Sequence, residues 1–176
     1  MSLPFTTESI GRVESLHLHP QVPGAPLESV AAIDLVQGKG IVDNPRYYGR
    51  ISRDRGQPSK RQVTLIEREQ VTEHAVALGL QTIPPGAVRS NIETSGINLV
   101  ALVGREIEIG DAVLLLYAPR DPCAKMDAVC EGLRRLMMKN RQGVLAQVIE
   151  SGKVRIGDRI VLRSAIVKSS PSPAPV

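Results

Sequence analysis

The sequence predicts a mostly β fold with a few helices, arranged as a closed or partly closed β-barrel. Three observations carry that expectation. Short runs of alternating apolar and polar residues recur along the chain, separated by turns rich in Gly and Pro. The core material is almost wholly Val, Ile, Leu and Ala, because Phe5, Tyr47, Tyr48 and Tyr117 are the only aromatic residues. Finally, a short pattern occurs twice. Ile107-Glu108-Ile109-Gly110-Asp111 is echoed by Val154-Arg155-Ile156-Gly157-Asp158, each followed by a new apolar run. Each copy reads as two strands joined by a tight turn, with glycine accepting the positive φ. Such β units on either side of a helix suggest a sheet that closes on itself. A chain of 176 residues suits one domain, and no internal boundary stands out between residues 10 and 165.

In chain order, GRVESLHLH (11–19) alternates and reads as the first strand. LESVAAIDLVQGKGI (27–41) reads as one or two short strands ending at glycines. Residues 43–61 have Pro45, Gly49, Gly56 and Pro58 and no hydrophobic period, so they form a long loop. RQVTLI (61–66) is a strand with β-branched residues. A helix follows over about 68–78, with Val71, Ala75 and Leu78 on one face and Gly79 as its stop. His74 falls on the side of that helix, where a surface histidine is the plain reading. Residues 82–96 are loop-rich, with an extended piece at 88–92. The two echo units, a strand at 145–150 and a disordered tail at 166–176 complete the chain.

Both cysteines lie in PRDPCAKMDAVC, residues 119–130. Asp121 is a candidate N-cap and Pro122 suits the first helical position, which places Cys123 in the first turn. Met126, Val129, Cys130, Leu133, Leu136 and Met137 then continue at helical spacing as an apolar stripe. Within one helix the two sulfurs lie roughly 10 Å apart along the axis, so they are neither a disulfide nor a metal pair. Cys130 reads as a small core residue. Cys123, flanked by Arg120 and Lys125, reads as a thiolate held by the helix start. A thiolate there can ligate a soft metal, attack an electrophile or carry a transferable sulfur. A cysteine hydrolase would need a histidine base, and no local signature places His17, His19 or His74 in that role.

The net charge is +4. Arg46, Arg50, Arg53, Arg55, Lys60 and Arg61, set against Asp43 and Asp54, carry that whole excess in one loop. A local basic loop suits a compact anionic partner better than a nucleic-acid-coating surface; a solvated loop is the alternative. No stretch is long and apolar enough to span a bilayer. The N-terminal twenty residues lack the pattern of a signal peptide, and two cysteines make no disulfide framework. A cytoplasmic, reducing location with no membrane contact is the expectation.

YAPRDPC (117–123), followed by RQGVLAQVIESGKVRIGDRIVL (141–162), resembles the C-terminal half of a MOSC domain, the family named for the C-terminus of molybdenum-cofactor sulfurases. PPGAVRSNIETSGINLVALVGREIEIGDAVLLL (84–116), with its Arg-x-Asn-Ile element, is similar to that family's middle section, and RQVTLIEREQV and GRVESLHLHPQVPGAPLESV also fit. The resemblance covers roughly residues 10–163. It implies a barrel-like fold with a pocket for molybdenum cofactor (molybdopterin). It further implies that Cys123 is the metal ligand or persulfide carrier and the catalytic residue, with Arg89 and Asn91 near the cofactor. Arginines of the basic loop, Arg46, Arg50 and Arg61, suit its phosphate. One departure is plain: many relatives have Gly-x-x-Gly-Asp-Arg-His before the basic loop, where this chain has GKGIVDNPRYYG. Asp43 and Arg46 would substitute in part.

Three functions follow as expectations. The first is a molybdenum-dependent reductase of N-hydroxylated substrates, fed by a separate electron-donor protein because the chain has no flavin or iron–sulfur motif. The second is a persulfide carrier in metal–sulfur cluster or cofactor maturation. It would be supplied by a separate sulfur-donor protein, since no pyridoxal-dependent desulfurase domain is present. The third is a non-catalytic barrel that binds an anion or nucleic acid. The shortage of aromatics argues against base stacking, so no nucleic-acid partner is expected.

Overall fold

The structure is a computed structural model that describes residues 9–164; the tail expected at 166–176 lies outside the described residues. Eleven strands and three α-helices are present among those residues. Seven strands close a barrel in the order β1 (Ser9–Leu18), β11 (Arg159–Leu162), β7 (Glu106–Ile109), β8 (Ala112–Pro119), β9 (Val144–Glu150), β5 (Val63–Glu67) and β6 (Ile92–Ser95), with β6 returning to β1. All neighbours are antiparallel except β5 and β6. The expected closed barrel is therefore present.

The strands form where period-2 alternation turns one face inward. β7 buries Ile107 and Ile109, β9 buries Val144, Ala146 and Val148, and β8 buries Leu114 and Leu116. These meet Val13, Leu16, Leu65 and Ile160 in a single aliphatic core. β1 is long enough to serve three partners, because bulges between Ser9 and Gly11 and between Val13 and Ser15 bend it around the barrel. β2 (Glu28–Val30) extends the sheet beside the end of β1. A second sheet of β10 (Gly152–Arg155), β3 (Ala32–Val36) and β4 (Gly40–Ile41) lies outside the ring.

The two Ile-Gly-Asp turns divide at this point. The first is a hairpin: β7 and β8 pair directly, Ile109 opposite Ala112, across Gly110 and Asp111. The second is tight as well, closed by Asp158 N–H to the Arg155 carbonyl. Its strands do not pair, however. β10 joins β3, and β11 joins β7 and β1. The expectation of two paired units is thus corrected for the second copy, which carries the chain from one sheet to the other.

A smaller core lies among the helices. α1 (Arg68–Ala77), α2 (Lys125–Val129) and α3 (Leu133–Leu136) surround Ile66, Val71, Ala75, Met126, Leu133 and Met137. α1 matches the sequence expectation within one residue. His74 does not stay on its surface: it is buried, with Nε2 against the Arg141 carbonyl oxygen. The extended piece expected at 88–92 is displaced. The segment before Asn91 turns, with Ala87 and Arg89 N–H groups bonded to the Pro84 and Gly86 carbonyls, and β6 begins at Ile92.

The helix expected to run from Asp121 through Met137 is two short helices. α2 starts at Lys125 behind Ala124, and Cys130 is already extended at φ −159°. Gly132, at φ +88°, reverses the chain before α3. Cys123 therefore precedes the helix, and its carbonyl accepts the Met126 N–H. Cys130 is not a mid-helix core residue. It is a half-buried group at the end of α2, packed on the smaller core. Glycine at 132 is the signal that ended the stripe, because only glycine enters that backbone region without strain.

Candidate functional site

A polar floor is built where β1, β5 and the turn before β6 meet. Asn91 is fully buried. Its Oδ1 accepts the Thr64 N–H at 3.2 Å and the Thr64 hydroxyl at 3.1 Å, and its Nδ2 donates to the His17 carbonyl at 3.0 Å. The Asn91 amide in turn donates to Thr64 Oγ1. Asn91 thereby ties β1 and β5 to the start of β6. Asn91 is thus part of the framework, while Arg89, two residues earlier, holds a positive φ of 61°. That conformation is costly for arginine, and the Arg89 guanidinium is held by the Ala25 carbonyl at 2.9 Å.

His19 follows directly after β1 at the rim of this floor. Its backbone N–H donates to Asn44 Oδ1 at 2.8 Å, which fixes the Asn44 amide with its oxygen toward His19. His19 Nδ1 lies 3.1 Å from that same oxygen and 3.4 Å from Asn91 Nδ2, so one neighbour accepts from it and the other donates to it. Burial, opposed by the Asn44 hydrogen bond and reinforced by Arg46, Arg89 and Arg120, lowers its pKa to about 4. His19 is therefore neutral at pH 7. It stands edge-on to Tyr47 with ring centroids 5.3 Å apart. The guanidinium carbons of Arg46 and Arg61 lie 5.4 and 5.3 Å from the Tyr47 ring centre, within cation–π range. His19, Arg46 and Arg89 line one cleft of about 210 Å³.

Arg120 completes the cluster from the end of β8. It is 7% exposed. One guanidinium nitrogen donates to Ser90 Oγ at 3.0 Å, and Nε has no partner. No carboxylate pairs with it among the described ion pairs. Burial pulls its pKa down to about 10, with Tyr47 and Cys123 acting against that and Arg61 and Arg46 adding to it. It remains a cation at neutral pH, buried without a counter-ion. The same electrostatic neighbourhood joins Arg89 to Arg46, Tyr47 and Cys123.

Arg46 and Arg89 share the cleft, Arg46 and Arg61 share the Tyr47 ring, and Asn91 is bonded into the floor; Cys123 is solvent-exposed and does not line that cleft, but acts electrostatically on Arg89 and Arg120. The positive field around it comes from Arg89 and Arg120 rather than from a helix start, since α2 has five residues and begins after it. Arg50 is not among them: its side chain is exposed and has no side-chain contact with the cluster among the described residues. Sequence reasoning missed the importance of Arg120, Tyr47, Asn44 and His19. For His19 a signal existed, since it closes an alternating strand on the same side as His17. For Arg120 there was none, because an arginine in a loop next to Pro119 and Asp121 reads as exposed.

Residues 38–161 match the MOSC domain family. The chain belongs to that family. The fold agrees with solved structures of low sequence identity. The YuaD protein of Bacillus subtilis is 22% identical with a TM-score of 0.73, over 88% of this chain and 96% of that one. YiiM of Geobacillus stearothermophilus is 17% identical with a TM-score of 0.65, over 90% and 77%. YiiM of Escherichia coli is 20% identical with a TM-score of 0.61, over 88% and 71%. No functionally curated protein matches the chain. No helix among the described residues is long and apolar enough to cross a membrane.

Proposed function

We propose that this MOSC domain binds molybdenum cofactor through Cys123 and reduces N-hydroxylated substrates with electrons from a separate donor. The observation that carries the reading is Arg120, a buried cation with an unpartnered Nε and no carboxylate, within the electrostatic reach of an exposed thiol. Leaving such a charge uncompensated in the interior costs several kcal/mol by order of magnitude, which is tolerated where an anionic ligand completes it. A phosphate-bearing, sulfur-rich cofactor fits this donor set. Arg120, Arg89, Arg46 and Arg61 suit its anionic end, and the Cys123 sulfur suits a soft metal.

When bound, the group supplies a centre for two-electron oxygen-atom chemistry. The chain's own residues do the rest. Arg89 and Arg46 orient the anion at the cleft mouth, and Tyr47 holds Arg46 and Arg61 in place. His19 is neutral, and its imidazole can accept or return a proton. The overall change takes R–NH–OH, two electrons and two protons to R–NH2 and water. The site residues support this reading together, and its test is elemental analysis after expression in a host that makes the cofactor. Near-stoichiometric molybdenum is expected, falling more than tenfold in Cys123→Ser and in Arg120→Met. Wild-type protein without molybdenum, or equal loading in Cys123→Ser, would sink it.

The exposure of Cys123 favours a second reading, a persulfide carrier that hands its terminal sulfur to an acceptor. Intact mass of protein isolated without reductant would then show one added sulfur that is missing in Cys123→Ser.

A further inference from the structure

The basic loop divides into two sets of charges. Arg46 and Arg61 turn toward Tyr47 and the cluster. Arg50, Arg53, Arg55 and Lys60 are exposed, and among the described residues none has an ion pair or side-chain hydrogen bond. They are more cations than one phosphate requires, and they stand at the edge of the same site.

The segment that carries them is ordered rather than slack. Ser52 N–H donates to the Gln57 carbonyl at 2.8 Å, Gly56 N–H to the Ser52 carbonyl at 3.0 Å, and Ser59 N–H to the Arg50 carbonyl at 2.8 Å. Ile51 bridges Pro58 in antiparallel fashion. This finger is tied to the barrel at its base: Gln62 Nε2 donates to the Ser59 carbonyl while Gln62 Oε1 accepts the Val148 N–H, both at 2.8 Å. A cleft of about 240 Å³ lies between the finger and Tyr117. In the middle of the cations, Ile51 is 54% exposed and Tyr48 38%. An apolar centre with a charged rim is the anatomy of a protein interface, and its pre-formed backbone lowers the ordering cost of binding. A nucleic acid would find cations there but only one exposed aromatic ring on which to stack a base.

We propose that the finger, residues 50–60, is the docking surface for an acidic one-electron carrier protein that delivers reducing equivalents to the neighbouring site. Charge complementarity selects the partner: Arg50, Arg53, Arg55 and Lys60, set against the single carboxylate of Asp54, leave the hydrogen-bonded projection strongly cationic, which steers an acidic surface and sets its orientation. The partner's role as electron donor rests on the function proposed above, which requires two electrons per substrate; two carriers, each giving one, supply them. The docking itself does not depend on that function.

The test titrates the full chain with an acidic plant-type [2Fe–2S] ferredoxin at low and at physiological salt, following binding by calorimetry and amide chemical shifts. Shifts confined to the finger are expected, together with a steep loss of affinity as salt rises. Affinity should fall at least about tenfold in the triple variant Arg50→Glu, Arg53→Glu, Arg55→Glu, and measurably in Ile51→Ser, with melting temperatures unchanged. Absence of ferredoxin binding, shifts on another face, or equal binding by the triple variant would overturn the proposal. So would tighter, Ile51-independent binding of a single-stranded oligonucleotide. Cys123→Ser separates the two proposals: it should bind ferredoxin like the wild type while losing molybdenum. Ferredoxin binding by a wild type that holds no molybdenum would leave the docking surface standing and remove the reductase.

Discussion

Arg120 and Arg53 carry the same guanidinium at two regions of one site. Arg120 lies under the site, sealed by Val88, Ser90 and the end of β8. Arg53 stands on the finger in solvent. The floor is where the chain accepts a desolvated charge and closely fitted backbone. The finger is where charge costs the fold almost nothing. A ligand that completes the floor must compensate the buried cation, whereas a partner that meets the finger exchanges salt ions for carboxylates. Affinity at the first should depend on shape and chemistry, and at the second on ionic strength.

Glycine provides the sharpest way to break that contrast. Gly143 has φ +71°, and a Cβ there would run into the Leu65 carbonyl oxygen; its own carbonyl holds the Arg120 N–H at 2.9 Å. Gly143→Ala should cost more than about 4 kcal/mol, because strained backbone and overlap combine, and is expected to yield insoluble or unfolded protein by circular dichroism. Gly56 in the finger has nearly the same φ, +61°, with open space around it. Gly56→Ala should cost only about 1 kcal/mol and leave a cooperative melt.

Asn91→Ala is the next largest effect. It strands the Thr64 N–H and the His17 carbonyl in the interior, which should cost about 3 kcal/mol, read as a lower urea midpoint. Removing Arg120 should act in the opposite direction on the free protein. Arg120→Met removes a desolvated charge and fills its place with apolar volume, so the melting temperature should hold or rise even as molybdenum is lost. A fall in both would mark Arg120 as merely structural.

A pH dependence tests the floor in a graded way. His19 has a folded pKa of about 4, below the unfolded value near 6.5. The unfolded chain therefore binds the proton first, and the contribution of His19 to stability is complete above pH 6.5 and is lost as pH falls toward 4. His17 and His74, both lowered by burial, act in the same sense. His19→Gln should lose less stability than the wild type between pH 7 and pH 5 in urea titrations. Identical slopes would refute the neutral, floor-bound state of His19.

The barrel was legible because its signal is local. Alternation in β1, β8 and β9 sets which face is buried, and the Ile-Gly-Asp echo marks two turns. What the echo could not reveal is which partner each strand takes, since pairing is decided by tertiary neighbours: Gly110 and Asp158 lie close enough that the second turn packs on the first. The helix over Cys123 was misjudged because the apolar spacing from Met126 to Met137 is helical on either side of Gly132, and a reversal does not disturb that count. In the site, Cys123, Arg89 and Asn91 followed from family resemblance. The burial of Arg120 and the neutral state of His19 did not, because each is defined by what lies across space from it.

The barrel seam also governs how this chain comes into being. β11 bonds to both β1 and β7, so the ring cannot close during synthesis until residue 162 has emerged. Before that moment the free edges of the earliest strand and of β7 are both open, each a template for a neighbouring chain. A ribosome that stalls in the last turn, or a protease that trims back past Arg159, therefore releases a sheet with two exposed borders rather than a barrel missing one stave.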